Sequence, residues 1–417
     1  MKSGYSHLKC GLIGKNLSHS FSAPIHNALA DYSFDLYELS EDKLGDFIEN
    51  TDLDAYCVTI PYKKDVMPYL DVISPEAQSI GAVNVIVRKA DGKLYGYNTD
   101  YFGFDYMVKS SGVSLAGKKA LVFGRGGAAA TICVYLRDMG VRELVSFGSR
   151  DNTPENRAAH LDAEIIVNAS PVGMYPHNNA SPCELSLFSK CEAVFDLIYN
   201  PARTALMLEA EKLRIIAVGG ISMLVAQAAK AFEHFTGDDY EDGIIESIIS
   251  DITAKSENLI LVGMPGCGKS SVGQIAAELL EREFLDVDDE FCKMHGISPA
   301  EAIKTLGEER FRLMETEVLD SLGRLSKKVI ATGGGAPTKD RNYPLLHQNG
   351  VIVFLERELE NLATDGRPLS QGRDISKLYA ERIDAYTRFA DIRVESTEVK
   401  EKTAELIVKK FIEYFKG

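Results

Sequence analysis

At 417 residues the chain exceeds what one hydrophobic core normally supports, so two or three domains are expected. Hydrophobic residues at 45% and charged residues at 26% give an ordinary globular balance, and a net charge of −15 argues against a nucleic-acid or anionic-membrane surface as main partner. Seven scattered cysteines without a CxxC pair read as free thiols in a reducing compartment. With no signal peptide before Leu8 and no long apolar run, a cytoplasmic chain is expected.

In chain order, the runs KCGLIG (Lys9–Gly14), AYCVTI (Ala55–Ile60) and AVNVIV (Ala82–Val87) are short and β-branched, as strands of an α/β sheet would be. Between the first two, SAPIHNALADY and EDKLGDFIENT carry apolar residues at helical spacing. A further α/β block opens at Lys118 with KKALVFG, a glycine-rich turn and a helix near Ala129–Met139. ELVSFGS, EIIVNAS and AVFDLIY continue the strands, and an apolar helix over Met223–Phe235 is expected to dock back on the first block. The acidic, turn-rich stretch from Gly237 to Asn258 reads as a linker containing a short helix-like piece. A new strand, NLILVG (Asn258–Gly263), restarts the series.

Gly263–Ser270 match GxxxxGK[ST] directly after that strand and before a helix (Ser271–Glu281). The glycines let backbone N–H groups surround phosphate oxygens, Lys269 can reach the β- and γ-phosphates, and the Ser270 hydroxyl can ligate Mg²⁺. The order strand, loop, helix disfavours an incidental glycine-rich turn. Asp286 and Asp288 lie two apart, which on an extended segment puts them on one side, one for the Mg²⁺ shell and one for an attacking hydroxyl. Arg310, Arg312, Glu315 and Glu317 fall on an expected helix, and Gly333–Gly335 end a strand. Arg367, Arg382 and Arg388 follow. Arginine suits a carboxylate or a developing phosphoryl charge, although each alone is more often a solvated surface residue.

Taken in order, the phosphate loop, the Asp286/Asp288 pair, GExxFR (Gly307–Arg312), the TGGG turn, RPL at Arg367 and RxxxYxxxAD from Arg382 resemble the shikimate kinase family over residues 258–417. The resemblance implies a P-loop NTPase-like, nucleoside-monophosphate-kinase-like α/β domain. It implies ATP contacts from Gly266, Cys267, Gly268, Lys269, Ser270 and Ser271, and Mg²⁺ at Ser270 and Asp286. Asp288 would touch the shikimate hydroxyls and take the proton; Arg312 and Arg382 would hold the carboxylate beside Gly333, Gly334 and Gly335; Arg367 would close over the transferred phosphate. Many relatives carry a further arginine about seven residues before the RPL arginine, stacked on adenine. Here that stretch is ELENLATDG, which leaves the adenine contacts unassigned.

Nearer the N-terminus, Gly124-Arg-Gly126-Gly127-Ala128-Ala129 after ALVF reads as a GxGxxA dinucleotide turn. The next strand ends in Ser149-Arg150, where a guanidinium suits the 2′-phosphate of NADP, with Asp151 beside it as an opposing charge. Ser18, Ser20 and Ser22, Thr59, Lys63, Asn84, Asn98, Thr99 and Asp100 form a polar set at strand ends, of the kind a small polyhydroxylated acid requires. For the serines, helix capping is the competing explanation. SHSxSAPxHN, VTxPYK, GAVN, NTDxxG, GxGGAA, NASPxGM, DLIYNP and MLxxQAxxxFxxFTG together resemble the shikimate dehydrogenases over residues 8–237.

That resemblance implies an α/β substrate domain (1–102, with 220–237 packing back) and a Rossmann NADP-binding domain (103–219), with a linker at 238–257 before the kinase domain (258–417). Lys63 and Asp100 would be the catalytic pair, the carboxylate keeping the ammonium charged for proton donation. Ser18, Ser20, Thr59, Asn84, Tyr199 and Gln227 would bind substrate; Gly124, Gly126, Gly127, Ala128 and Arg150 the dinucleotide; Gly219 and Met223 would lie by the nicotinamide. The usual NRT motif is here Ser149-Arg150-Asp151, and the stretch to Glu164 leaves room for one abbreviated helix. Both resemblances point to small-molecule substrates, 3-dehydroshikimate and shikimate, with NADPH, ATP and Mg²⁺, and with no nucleic acid or membrane. The alternatives weighed are a quinate/shikimate dehydrogenase of broader specificity and NAD use, and a catalytically silent sensor in one half. Oligomeric state is left open.

Overall fold

Strands buried on both faces need apolar side chains along their length, as in Ala55–Val58, whereas edge strands such as Ser33–Glu38 and Ile392–Glu395 carry polar, exposed positions. The computed structural model describes residues 2–17, 20–362 and 375–416. The chain divides into two units, Met1–Tyr199 with Leu206–Ile249 and Asn200–Ala205 with Ser250–Gly417. Both are α/β, as the sequence implies.

The first unit opens with β1 (Lys9–Gly14), α1 (Ser22–Leu29), β2 (Ser33–Glu38), α2 (Leu44–Asn50), β3 (Ala55–Val58), β4 (Val72–Ile73), α3 (Pro75–Ile80), β5 (Val85–Arg88), β6 (Leu94–Tyr97) and α4 (Asp100–Ser111). These strands form a six-stranded sheet in the order β2-β1-β3-β5-β6-β4, with β5 antiparallel to both neighbours. The strand expected over Ala82–Val87 begins only at Val85. Asn84 therefore stands at its entrance, its carbonyl accepting from Val58 N–H at 2.8 Å and its own N–H donating to Tyr97 O at 3.0 Å.

The series continues with β7 (Lys119–Phe123), α5 (Gly127–Asp138), β8 (Glu143–Phe147), α6 (Pro154–Ala158), β9 (Ile165–Asn168), β10 (Ala193–Asp196), α7 (Ala205–Leu213), β11 (Ile216–Gly219) and α8 (Ile221–Thr236). The strands make an all-parallel sheet ordered β11-β10-β9-β7-β8. Along β7, Ala120 and Val122 enter one core cluster while Leu121 and Phe123 enter another, so period-2 alternation fills both faces. The five-residue α6 is the abbreviated helix expected between Arg150 and Glu164. Helix α8 packs on α1 and α4 as its apolar spacing implied, with Phe235 stacked on His26 and Phe232 on Tyr32. Gly237, at φ +80°, closes it in the left-handed conformation.

The helix-like piece read at Ile244–Ile252 within the linker is α9 (Ile244–Ser256), four residues longer than expected, with Ile245, Ile248 and Ile252 as its buried stripe. In the second unit β12 (Asn258–Val262), α10 (Lys269–Leu279), β13 (Glu283–Asp286), α11 (Val287–His295), α12 (Pro299–Leu306), α13 (Glu308–Gly323), β14 (Lys328–Ala331), α14 (Asn342–His347), β15 (Gly350–Glu356), α15 (Ile375–Phe389), β16 (Ile392–Glu395) and α16 (Lys400–Tyr414) build a parallel sheet ordered β13-β14-β12-β15-β16. β12 and β15 are apolar and buried but for the buried Asn258 that opens β12 and the half-buried Glu356 that ends β15. Asn258 is satisfied, donating to Leu325 O at 2.7 Å and accepting from Lys328 N–H at 2.8 Å. All seven cysteines are free. Among the described residues no helix is long and apolar enough to cross a membrane.

Candidate active sites

In the first unit four motifs separated in sequence converge on one polar cluster. The turn after β3 carries Lys63, whose Nζ pairs with Asp100 Oδ2 at 2.6 Å; the side chains are 14% and 7% exposed. Asp100 opens α4, and its other oxygen accepts from Asn84 Nδ2 at 3.0 Å. Asn84 also donates to Thr99 Oγ1 (3.1 Å) and accepts from the Thr99 N–H (2.7 Å); Gln227 Oε1 on α8 accepts from Thr99 Oγ1 (3.2 Å) and lies 3.5 Å from Asn84 Nδ2. Every one of these buried polar groups is thereby satisfied, which is the condition for keeping such a network in the interior. The motifs assign no individual role to Asn98 or Thr99. Asn98 ties the GAVN turn down by donating to Ala82 O at 2.9 Å.

Gly103 explains the last residue of NTDxxG. A Cβ there would sit 2.7 Å from Met223 O and 3.0 Å from Gln227 Cβ, so glycine alone permits the close crossing of α4 and α8 that brings Gln227 to the cluster. Ser20 Oγ accepts from Ser22 N–H at 3.1 Å just ahead of α1, while the N-cap itself is Phe21 and has no side-chain cap. Ser18 lies outside the described residues. Thr59 packs its methyl against Gly14, and Tyr199, whose hydroxyl pKa is raised by burial, lies tilted against Phe21 at 5.5 Å between ring centroids.

The dinucleotide turn reaches the same place. A Cβ on Gly127 would lie 3.5 Å from both Cβ and Cδ of Lys63, so the turn and the Lys63–Asp100 pair are neighbours. Gly124, at φ +129°, leaves no room for a side chain against Ala169 O, while around Gly126 the space is open. The twelve-residue α5 begins at Gly127 and continues with Ala128. This combination fits a pyrophosphate at a helix N-terminus. Gly219 ends β11, its carbonyl accepting from Ser222 Oγ at 3.2 Å, and Met223 is buried against α4. Arg150 is exposed beyond β8. Asp151 is engaged by Gly148 N–H at 2.8 Å and by Arg125, a residue to which no role was given.

In the second unit the candidates line a cavity of about 360 Å³, among them Gly266, Gly268, Lys269, Ser270, Ser271, Asp286, Asp288, Arg312, Gly333, Gly334, Gly335 and Arg382. Cys267 is the exception: it is buried, with Sγ toward Gly263 and Lys269. Arg367 lies outside the described residues. Gly266 and Gly268 take φ of +88° and +101°, open only to residues without a Cβ penalty, and α10 starts at Lys269. Lys269 Nζ donates to Gly263 O and Met264 O at 2.9 and 3.0 Å. A curled loop, a buried ammonium and a helix N-terminus fit a nucleotide triphosphate.

Ser270 Oγ donates to Asp286 Oδ2 at 2.6 Å, which pairs hydroxyl and carboxylate as a magnesium ion would need them. Asp286 and Asp288 do not share an extended segment, contrary to expectation. Asp286 ends β13 and caps α11, its Oδ1 accepting from Asp288 N–H at 3.0 Å. An aspartate at a strand end followed by an acidic turn is an N-cap before it is a strand.

The three glycines of TGGG each face an obstacle. A Cβ on Gly333 would sit 2.7 Å from Glu315 Oε1, one on Gly334 2.7 Å from Pro265, and one on Gly335 inside the Arg312 guanidinium. Arg312 pairs with Glu315 at 2.7 Å, both nearly fully buried, and burial pushes the Glu315 carboxyl up against the opposing pull of Arg312. Arg382 Nη1 and Tyr386 OH both donate to Gly334 O, at 3.1 and 2.5 Å. The motifs assign no role to Glu315 or Tyr386. The signal available was spacing, since each lies three or four residues from a site arginine on the same helix face. Arg310 and Arg388 are surface residues, Arg388 pairing with Asp340.

Fold and sites together define a two-part enzyme architecture, a dinucleotide-binding dehydrogenase unit and a P-loop phosphotransferase unit. Residues 12–86 match the family model of the shikimate dehydrogenase substrate binding domain and residues 265–415 that of shikimate kinase. The chain is 39% identical over 243 residues to shikimate dehydrogenase (NADP(+)) of Clostridium beijerinckii, covering 54% of this chain and 90% of that protein. Among solved structures it resembles shikimate dehydrogenase 1 of Peptoclostridium difficile (35% identity, TM-score 0.54, 59% of this chain and 97% of that one). It also resembles the Thermus thermophilus shikimate 5-dehydrogenase in complex with NADP(H) and shikimate (29%, TM-score 0.53, 58% and 99%). The chain belongs to the shikimate dehydrogenase family through its first unit and carries a shikimate kinase domain in its second.

Proposed function

We propose that the chain reduces 3-dehydroshikimate to shikimate with NADPH and then phosphorylates shikimate with ATP and Mg²⁺, as a bifunctional enzyme of the shikimate pathway in the cytoplasm. The observation that carries the reading is the convergence of Lys63, Asp100, Asn84 and Gln227 beside the dinucleotide turn, in a chain whose second unit gathers Arg312, Arg382 and three glycines beside a phosphate loop. The first product is the second substrate.

In the first unit Lys63 gives a proton to the ketone oxygen, and Asp100 holds the ammonium in position through the 2.6 Å pair. Ser18, Ser20, Thr59, Asn84, Tyr199 and Gln227 take the carboxylate and ring hydroxyls, with Gly219 and Met223 beside the nicotinamide. Gly124, Gly126, Gly127, Ala128 and Arg150 hold the cofactor. In the second unit Arg312 and Arg382 clamp the carboxylate beside Gly333–Gly335, Asp288 accepts the hydroxyl proton, and Lys269 and Arg367 neutralise phosphoryl charge. Ser270 and Asp286 hold the metal, and Gly266–Ser271 the nucleotide. Bound there, NADPH supplies the hydride and Mg-ATP the phosphoryl group.

The domain limits 1–102 with 220–237, 103–219 and 258–417 belong to the same proposal. They are supported by the separate sheets over 9–97, 119–219 and 258–395. The test is separability on the full chain. Lys63→Ala should abolish dehydrogenation and spare phosphorylation, Lys269→Ala the reverse, and loss of both activities in either variant counts against the reading. Parallel oxidation assays with quinate, NAD⁺ and NADP⁺ separate it from a broader quinate/shikimate dehydrogenase.

A further inference from the structure

The end of the second strand of a dinucleotide fold faces the adenosine ribose. In this chain that position is occupied by β8 and the turn Gly148-Ser149-Arg150-Asp151. An aspartate here ordinarily accepts the ribose hydroxyls of NAD and repels a 2′-phosphate. Asp151, however, is not presented to the ribose as a bare acid. Its Oδ1 accepts from Gly148 N–H at 2.8 Å, and its Oδ2 is paired with Arg125 Nη2.

Arg125 comes from the dinucleotide turn itself, the variable residue between Gly124 and Gly126. Its side chain crosses from the end of β7 to the end of β8, where it also donates to Ser146 O at 3.3 Å and runs alongside Gly148. The Arg125 side chain stays 60% exposed, so its guanidinium keeps donors available to a ligand. Arg150, two residues past Gly148, is exposed and pairs with no carboxylate among the described residues. Two cations and one satisfied carboxylate therefore line the place where the 2′-substituent would lie, a net charge of +1.

We propose that Arg125 is a specificity-determining residue for NADP over NAD, acting in two ways: it masks Asp151 and it adds a second guanidinium beside Arg150 for the 2′-phosphate. This deepens the proposed dehydrogenase reading and rests on it. Removing Arg125 takes the local charge from +1 to 0 and also uncovers the Asp151 carboxylate, so its effect should exceed the loss of one contact. Removing the charge of Asp151 should relieve most of that excess.

The experiment is isothermal titration of the full chain with NADP⁺, NAD⁺ and adenosine 2′,5′-bisphosphate, which carries the 2′-phosphate without the nicotinamide. Arg125→Ala should weaken NADP⁺ and the bisphosphate roughly ten- to a hundredfold, as loss of a charge-assisted contact does, while NAD⁺ changes less than about threefold. Arg125→Lys should keep most of the preference. Asp151→Asn should bind NADP⁺ at least as tightly as the parent chain, and Arg125→Ala/Asp151→Asn should recover part of the loss. Equal weakening of NADP⁺ and NAD⁺ by Arg125→Ala, or an unchanged affinity for the bisphosphate, would overturn the proposal while leaving the dehydrogenase reading intact. A parent chain that binds neither dinucleotide would instead remove the reading on which it rests.

Discussion

Replacing Gly103 by alanine probes whether the α4–α8 crossing sets the geometry of the first site. The new Cβ would stand 2.7 Å from the Met223 carbonyl oxygen and 3.0 Å from Gln227 Cβ, against ordinary carbon contacts of about 3.5 Å or more. One contact is backbone, so rotamer change cannot relieve it, and the helices must separate by roughly 0.5–0.8 Å. Overpacking of this kind costs about 1–3 kcal/mol, offset by ~0.5–1 kcal/mol gained on removing a helical glycine. A net loss of up to about 2.5 kcal/mol lowers the thermal transition of the first unit by up to roughly 10 °C. The same displacement draws Gln227 away from Thr99 and Asn84, where its contacts are already 3.2 and 3.5 Å. The KM for 3-dehydroshikimate should rise and dehydrogenase kcat/KM fall about tenfold or more, with kinase parameters unchanged. Scanning calorimetry with steady-state kinetics on the full chain reads both effects. An unchanged transition together with an unchanged KM would refute the close-approach argument.

Two other outcomes follow from buried charge. Burial lowers His26 to about 3 from an ordinary 6.5, so below pH 6.5 the unfolded chain takes up a proton that the folded chain refuses. Stability is complete above the unfolded pKa and is lost as pH falls toward 3, by about 2 kcal/mol between pH 6.5 and 5. His234, lowered to about 4 mainly by burial, adds in the same direction. Urea titrations of the parent chain and His26→Gln should show a shallower pH slope in the variant, and equal slopes would contradict the assignment. Among the described residues Glu315→Ala leaves the buried Arg312 guanidinium with Glu308, at 3.4 Å, as its one acidic partner, and loss of one partner of a buried pair costs about 3–5 kcal/mol. The second unit should melt at least ~6 °C lower by calorimetry, and a shift under 2 °C would show that the pair is not stabilising.

The strands were legible because parallel sheets buried on two faces write themselves as apolar runs, as in ALVF and LILV. The phosphate loop was legible because its chemistry dictates glycines, lysine and serine at fixed spacing. What the sequence hid was geometry created by neighbours distant in the chain. The acids that follow Asp286 mark a helix start, but the apolar run before it reads as a strand carried through, and the boundary of β5 moved by three residues because Asn84 is drawn into the Asp100 network. The helix-like piece read at Ile244–Ile252 is real, on the stripe of Ile245, Ile248 and Ile252, and only its continuation to Ser256 was not legible. Arg125 escaped because its importance lies in a partner 26 residues away, and Gly103 because a missing side chain signals nothing until the crossing helix is known.

The most direct measurement supplies purified full-length chain with 3-dehydroshikimate, NADPH and Mg-ATP and follows both nucleotides together with the organic product. One NADPH oxidised and one ADP formed per shikimate 3-phosphate, with phosphorylation lost in Lys63→Ala until shikimate is added, is the predicted result. NADPH oxidation without any phosphorylated product, or ADP formation indifferent to shikimate, would contradict a chain that performs both steps.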